Sequence, residues 1–237
     1  MSNLWKQIGF VLLMMVFTVG CHKTDVPDDG GDDHGEDLEI HEFVDLGLPS
    51  GTLWATCNVG ADTPEAFGNY YSWGETAPKE GYDWGSYQYG NFADERYTFT
   101  KYCTDSVYGL NGFVDGLAIL EPVDDAATAC WGADWRTPTI EEWEELFRKT
   151  TNVWTTQNGV DGWLFTGVNG NCLFLPAAGY WWEGVYNTGL GLYWSVSLNT
   201  DYPNRAWGFH FNTDSSHLCG SSERCRGQAV RAIRAIK

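Results

Sequence analysis

The sequence predicts a β-rich or mixed fold of short strands with few helices. From Phe43 onward, short apolar or aromatic runs alternate with Gly, Asn and Pro, which is the pattern of short strands joined by turns. The chain contains 28 Gly and only 19% charged residues, so we expect many turns and few long surface helices. Its 237 residues are 43% hydrophobic and 16% aromatic, enough to bury a large core, which excludes global disorder.

Two hairpins and three later strands are expected. The first hairpin joins residues 44–46 to residues 52–56 through a longer turn. The second joins residues 163–168 to residues 172–175 through Asn169-Gly170, because both residues readily take the positive φ of a tight turn. The later strands are predicted at residues 192–197, 206–211 and 229–236, and the last of these closes the sheet. We expect residues 60–123 to be mostly irregular, with inserted loops packed by their own aromatic residues.

Two helices are predicted from local signals. Thr139 and Glu142 form a capping box, and the apolar residues that follow share one helical face through to about Lys149; they are Ile140, Trp143, Leu146 and Phe147. A shorter helix is expected from Asp124 or Asp125 through Cys130, with the aspartates as capping residues.

The N-terminus is predicted to be an export signal rather than part of the fold. Lys6 precedes an apolar run of about a dozen residues, which is shorter than the roughly 20 that a membrane-spanning helix needs. Residues 18–21, Thr-Val-Gly-Cys, resemble a bacterial lipobox, so we expect a lipoprotein signal peptide at residues 1–20 and lipidation of Cys21. An ordinary secretory signal with an incidental Cys is the alternative.

Residues 21–39 are predicted to be an acidic disordered tether, and residues 40–237 the folded domain. The tether has almost no apolar side chains and its acidic residues repel one another. An acidic run after a lipidated Cys also resembles the signal that sends some lipoproteins to the outer face of the outer membrane. We therefore expect a lipid-anchored outer-membrane protein exposed at the cell surface, with a linker facing the periplasm as the alternative.

The net charge of the chain excludes one class of partner. With 14 Lys and Arg against 32 Asp and Glu, the formal charge is −18. A nucleic-acid backbone would repel such a protein, so we expect no nucleic-acid partner. The expected contact with a membrane is through the lipid on Cys21.

An ordered series of motifs carries a family resemblance over nearly all of residues 43–236. The motifs are FVDLGLPSGTLWATCNVGA (43–61), SWGET (72–76), DDAAT (124–128), WG (131–132), WRTPT (135–139), FLPAAGY (174–180), YWS (193–195) and VR (230–231). On these residues the chain resembles the Fibrobacter succinogenes major paralogous domain family. It departs from that family's pattern at Thr137, Val196 and Ala229, where Met, Ser and Ser are usual.

That family is similar to the C-type-lectin-like fold, in the branch that includes formylglycine-generating enzymes. The resemblance implies an α+β, C-type-lectin-like fold with small antiparallel sheets, two helices, paired terminal strands and long Gly- and aromatic-rich loops that present ligand-binding residues. It implies no settled activity, because one fold hosts many functions.

Six cysteines remain if Cys21 is acylated. Cys57 and Cys172 lie in apolar strand contexts and are expected to be buried thiols, whereas Cys219 and Cys225 bracket a polar segment and form the candidate disulfide. The alternative is a copper-binding catalytic pair like that of formylglycine-generating enzymes. The spacing argues against it, because Cys225 lies directly before the closing segment.

No metal, cofactor or catalytic residue is predicted. Lectins of this fold that bind sugar through calcium use a Glu-Pro-Asn or Gln-Pro-Asp loop and a Trp-Asn-Asp strand. This chain has Glu121-Pro122-Val123 and lacks the second motif. The five His residues show no metal-ligand spacing.

The sequence therefore predicts a non-enzymatic surface lipoprotein that binds a glycan or protein ligand through loops around residues 180–187 and 199–224. Rigid aromatic faces beside small polar groups favour such binding. Trp54, Trp73, Trp131, Trp135, Trp143 and Trp194 lie in family motifs and are expected in the core. The candidate ligand-binding residues are Trp181, Trp182, Tyr186, Asn187, Asn199, Asp201, Tyr202, Asn204, Arg205, His210 and Asn212.

Two further alternatives stay open at this point. Residues 199–225 are rich in Asn, Asp, Ser, His, Tyr, Arg and Cys and lack Lys, Met and Gln, a bias that resembles retroelement-diversified receptors of the same fold. The protein could instead be a structural subunit of a surface appendage or of a polysaccharide-uptake complex.

Overall fold

Small antiparallel sheets and two α-helices make up the part of the chain that the structure describes. The computed structural model covers residues 41–213 and 216–234, with side chains except at residues 216–219. The described residues belong to one compact unit. The predicted signal peptide, the candidate lipidation site Cys21 and the tether lie outside the described residues. The sheet-rich α+β class predicted from the sequence is confirmed.

The described residues form fourteen strands, arranged in five sheets. In chain order they are β1 (Phe43–Asp45), β2 (Leu53–Asn58), β3 (Gly90–Ala93), β4 (Arg96–Phe99), β5 (Thr151–Gln157), β6 (Val160–Thr166), β7 (Cys172–Pro176), β8 (Tyr180–Trp182), β9 (Val185–Asn187), β10 (Gly191–Leu198), β11 (Arg205–Phe211), β12 (Ser216–Glu223), β13 (Gly227–Gln228) and β14 (Arg231–Arg234). The sheets have the orders β1-β2-β14, β10-β11-β12, β13-β8-β9, β3-β4 and β5-β6-β7. Helix α1 spans Ala126–Trp131 and helix α2 spans Ile140–Lys149.

The two helices begin where their capping residues predict. The Thr139 side chain accepts a hydrogen bond from the Glu142 amide while the Glu142 carboxylate accepts one from the Thr139 amide, a complete capping box. Asp125 caps α1 by accepting from the Ala127 amide. On α2, Trp143 and Leu146 are buried, so the predicted apolar face does pack onto the core.

The predicted hairpins and strands also form. The β6–β7 turn contains Gly170 at φ +84°, while Asn169 keeps a negative φ and its side chain instead donates to the Asp45 carbonyl. A Cβ at Gly167 would overlap the Leu46 backbone, so glycine is what lets this turn lie against β1. The C-terminal strand β14 pairs antiparallel with β2, as expected for a strand that closes the sheet.

Two adjoining clusters of buried side chains form the core. One contains Trp54, Trp143 and Phe209, with the Trp143 and Phe209 rings stacked at a centroid distance of 5.1 Å. The other contains Trp73 and Trp194. Of the six tryptophans expected in the core, five are buried; the exception is Trp131, which is only half-buried at the end of α1.

Several elements differ from the sequence prediction. Residues 60–123, expected to be mostly irregular, contain the β3–β4 hairpin, and β5 was not predicted. The segment around residues 180–187 is the β8–β9 hairpin rather than a loop. Most of residues 199–224 belongs to β11 and β12, which pair along their length. Cys172, expected to be buried, is exposed because it begins β7 at the end of a turn, whereas Cys57 is half-buried.

Candidate functional site

The β8–β9 hairpin separates the two adjacent tryptophans that the sequence groups together. Successive side chains of a strand point to opposite faces of a sheet. Trp181 pairs across the hairpin with Tyr186, and their rings lie 5.1 Å apart. Trp182 instead pairs with the exposed Val185. The two candidate ligand-binding residues Trp181 and Trp182 therefore lie on opposite faces of the hairpin.

The face that carries Trp181 and Tyr186 packs onto the domain. The Tyr186 hydroxyl donates to the Ala178 carbonyl at 2.8 Å, and the Tyr70 hydroxyl donates to the same carbonyl and contacts the Tyr186 hydroxyl at 3.1 Å. Burial raises the pKa of Tyr186. These contacts give Tyr186 a structural role, and Trp181 packs against its ring.

The opposite face forms an arginine–aromatic surface, made of Tyr180, Trp182, Arg205, Glu223 and Arg226. The guanidinium carbon of Arg226 lies 4.5 Å from the Trp182 ring centroid and 5.2 Å from the Tyr180 ring centroid. The Glu223 carboxylate forms an ion pair with Arg226 at 2.7 Å and accepts a hydrogen bond from Arg205 at 3.3 Å, so one carboxylate bridges two cations. The arrangement brings together Trp182 and Arg205, which are 23 positions apart in the sequence.

Residues 60–123, which we call the aromatic insertion, extend this surface. The ring of Tyr97, on β4, lies 5.0 Å from that of Trp84. Burial raises the pKa of Tyr97, and the Glu223 carboxylate raises it further. Neither Trp84 nor Tyr97 was predicted as a site residue, because both lie in a segment expected to pack only on itself.

In the turn between β10 and β11, one candidate residue is buried and holds the turn together, whereas others are exposed. Asn199 is buried, and its side-chain oxygen accepts from the amides of Asp201 and Tyr202. It therefore forms the turn and is not open to a ligand, contrary to its predicted role. Asp201 and Tyr202 stand at the tip, with 61% of Tyr202 exposed. Asn187 lies on the Trp182 face of the neighbouring hairpin, where it pairs with Tyr180.

His210 and Asn212 lie away from the arginine–aromatic surface. Arg205 begins β11, whereas His210 is close to its other end and Asn212 follows it, about 20 Å along an extended strand from Arg205. The half-buried His210 ring packs over Gly220, where a Cβ would overlap it. The Asn212 carbonyl accepts from the Trp163 indole at 3.2 Å. These predicted residues are thus not brought into one site with Arg205.

Cys225 is a buried free thiol beside this surface. Burial raises its pKa, and the charge of Glu223 adds to the effect. Because Cys225 is a free cysteine, the predicted Cys219/Cys225 disulfide does not form in this structure; the Cys219 side chain itself lies outside the described residues.

The aromatic insertion is fixed to the domain by two buried charged groups. Asp124 accepts from the hydroxyl groups of Tyr89 and Tyr102 and from the Lys101 ammonium, at 2.5 to 2.6 Å. Burial by itself would raise the pKa of Asp124, but these three donors hold it below its usual value.

Arg224, which is fully buried, is the second of these groups. It donates to the Tyr87 hydroxyl and to the carbonyls of Lys101, Tyr102 and Pro203. Its guanidinium carbon lies 4.3 Å from the Phe99 ring centroid. The β10–β11 turn, which contains Pro203, is thereby joined to the insertion.

A separate cavity of about 380 Å³ lies beside the β1–β2 pair. It is lined by His41, Glu42, Thr56, Cys57, Gly60, Ala61, Asp62 and Trp131. Sequence reasoning missed it, because its walls come from three separate segments and no motif links them.

Across residues 41–213 and 216–234, no group of three or more His, Cys, Asp or Glu side chains is placed to hold a metal ion. None of the helices there is long and apolar enough to cross a membrane. Comparison of the chain with protein-family models, curated proteins and solved structures finds no match.

Proposed function

We propose that the protein is a non-enzymatic, lipid-anchored protein of the bacterial outer membrane that binds a glycan or protein ligand through a C-type-lectin-like domain. The arginine–aromatic surface is the observation that carries this proposal. It offers half-exposed aromatic rings, two guanidinium groups and a carboxylate within one patch. This combination suits sugars, which stack on aromatic faces and hydrogen-bond to planar polar groups.

The architecture supports the finer fold assignment. The resemblance to the Fibrobacter succinogenes major paralogous domain family implies paired terminal strands, and here β14 pairs with β2, the partner of β1. Small antiparallel sheets with two helices and an aromatic insertion are consistent with it. An experimentally determined structure that lacked the pairing of β2 with β14 would contradict the assignment.

Binding of the full chain, held in detergent micelles, to a broad glycan array tests the ligand. Trp182→Ala is the test variant and Trp181→Ala is its matched control, because the two residues are neighbours on opposite faces of β8. We expect Trp182→Ala to weaken binding at least about tenfold, as truncation of an interface hot spot does, while Trp181→Ala retains most of it.

Each other result has a defined meaning. Equal loss of binding in both variants, together with an unfolded hairpin, would assign both residues a structural role. Hydrogen exchange would show the unfolding as lost protection of the amides along β8 and β9. If the protein binds no glycan on the array, the glycans tested are excluded as ligands. This result would favour a protein ligand or the role of a structural subunit of a surface appendage. Stable co-purification with another envelope protein would then be expected.

The lipid anchor has its own test. Cys21→Ala should abolish incorporation of radiolabelled palmitate and release the protein from the membrane fraction. If the unsubstituted chain incorporates no palmitate and is absent from the membrane fraction, the ordinary secretory signal is correct. Protease treatment of intact cells then separates a surface-exposed domain from a periplasmic one.

The buried thiol argues against the competing enzymatic function. A copper-binding or nucleophilic cysteine acts as an accessible thiolate, whereas Cys225 is buried and its pKa is raised. Copper uptake by the purified protein that is lost in Cys225→Ser would reverse this conclusion.

Burial also limits the hypothesis of a diversified segment. Asn199, Ser222 and Arg224 are buried within residues 199–225, and Arg224 alone makes four hydrogen bonds. Free variation at such positions would leave buried polar groups without partners. Sequencing of sister clones tests this: variation confined to exposed positions such as Asp201 and Tyr202 would support diversification.

A further inference from the structure

The cavity beside β1 and β2 is a second concave site, distinct from the arginine–aromatic surface. Its volume of about 380 Å³ lies at the lower end of the range found for small-molecule pockets. Its lining includes none of the residues of the arginine–aromatic surface. A ligand held here would therefore be independent of the proposed glycan or protein ligand.

The cavity has a rigid side and an aromatic side. Arg231, fully buried, donates to the carbonyls of Ala55 and Thr56 at 3.0 and 2.7 Å, which fixes the backbone of β2 behind the cavity. On the other side the His41 and Trp131 rings stack at a centroid distance of 3.9 Å. The half-buried position of Trp131, unexpected for a core residue, is explained by its place in this wall.

The charged residues that line the cavity are both acidic, while the cation Arg231 is buried behind β2 and is not among the lining residues. Glu42 and Asp62 are exposed lining residues. Burial raises the pKa of the Cys57 thiol; the Thr56 hydroxyl and the Arg231 charge lower it, and the two carboxylates raise it. No Lys or Arg side chain is among the lining residues. Within residues 41–213 and 216–234, neither carboxylate has an ion-pair partner within 4.0 Å.

The carboxylates, the net charge and the indole wall together indicate the chemical class of ligand that the cavity suits. Two carboxylates attract a cation, and the formal charge of −18 adds a favourable long-range field. A metal ion is the weaker match, because the described residues hold no set of three ligating side chains. An organic cation fits better, since an indole wall stabilises an ammonium group that is partly removed from water.

We propose that this cavity binds a small organic cation, with an ammonium group held between Glu42 and Asp62 and its apolar part against Trp131. This site goes beyond the proposed glycan or protein binding and does not depend on it.

The test measures alkylation of individual cysteines in the full chain, held in detergent micelles, by peptide mass spectrometry after brief exposure to N-ethylmaleimide. Choline is the cationic probe, and 3,3-dimethylbutan-1-ol is its neutral isostere. Bound choline is expected to slow alkylation of Cys57 at least about threefold by covering it. Cys130 and Cys172 are exposed and do not line the cavity, so their rates serve as internal controls.

Two variants test the charge argument. Asp62→Asn should raise the choline concentration for half-protection of Cys57 about two- to fivefold, the effect of losing one exposed charge partner. Asp94→Asn removes an exposed carboxylate from the β3–β4 turn, outside the cavity, and should leave that concentration unchanged.

Three outcomes would overturn the proposal. The first is protection of Cys57 by the alcohol as strong as that by choline, and the second is equal slowing of alkylation at all three cysteines. The third is no protection of Cys57 at about 0.1 M choline, a concentration far above a millimolar dissociation constant for choline. Trp182→Ala should retain protection by choline, so failure of this site and failure of the proposed glycan site are distinguishable.

Discussion

Replacement of Asp124 by Asn should destabilise the domain and also change how its stability depends on pH. Asp124 is 5% exposed, and all three of its side-chain partners are donors, namely Tyr89, Lys101 and Tyr102. An Asn amide would place an NH₂ group against at least one donor and would leave the Lys101 ammonium without its closest buried carboxylate. Lys101 is 25% exposed and keeps its ion pair with Glu121 at 2.6 Å, so the cost is smaller than for a fully buried pair. We expect a loss of about 2–3 kcal/mol, a large part of a typical stability of about 5–15 kcal/mol.

The pH dependence follows from the depressed pKa of Asp124. Because its pKa is lower in the folded state, the stabilisation is complete above the unfolded value of about 4 and declines as pH falls through the folded value. The Asn variant has no carboxylate at this position, so it has no such stabilisation to lose as the pH falls. The difference in free energy of unfolding between the two proteins should therefore shrink from about pH 7 to about pH 3.

Urea denaturation followed by tryptophan fluorescence measures this difference. Tyr102→Phe is the matched control, because it removes one donor to Asp124 and keeps both charges; we expect a loss of about 2 kcal/mol that varies less with pH. A loss below about 1 kcal/mol for Asp124→Asn near pH 7, or an equal loss near pH 3, would refute the reasoning.

Three other predictions test the core, the thiols and the buried arginine. Trp143→Ala should cost about 3–5 kcal/mol in urea denaturation, since its ring is fully buried against the core; a loss under about 1 kcal/mol would show that α2 packs differently. Under native conditions N-ethylmaleimide should modify Cys172 and spare Cys225, because the first thiol is exposed and the second is buried with a raised pKa; equal rates, read by mass spectrometry, would contradict that placement. Arg224→Met should leave three backbone carbonyls without their buried donor and cost about 3 kcal/mol or more in chemical denaturation, whereas an unchanged midpoint would mean that these carbonyls find other donors.

Elements with local sequence signals could be predicted. The capping box of Thr139 and Glu142 involves groups three residues apart, so it forms wherever the helix begins. The β6–β7 hairpin likewise depends on a short turn with Gly170 at positive φ. The strands β10, β11 and β14 were found because their residue patterns match the period of a strand.

The β8–β9 hairpin shows a signal that was present but not used. Its turn contains Glu183-Gly184, both at positive φ, between residues that pair as strands. Recognition of this turn would have placed Trp181 and Trp182 on opposite faces by the two-residue period alone. The candidate surface would then have been assigned to Trp182 and not to both residues.

The sequence by itself determined the α+β class, both helices, the main hairpins and most of the buried tryptophans, because periodicity, caps and turns act within a few residues of the chain. Only the tertiary structure decided that Arg226 lies over Trp182 and that Glu223 bridges Arg226 to Arg205. It also decided that a cavity opens between Cys57 and Trp131. These arrangements depend on the packing of distant segments, where side chains meet only after the strands have taken their register. Local patterns carry no information about which segments meet there, and so the candidate sites emerge from the fold.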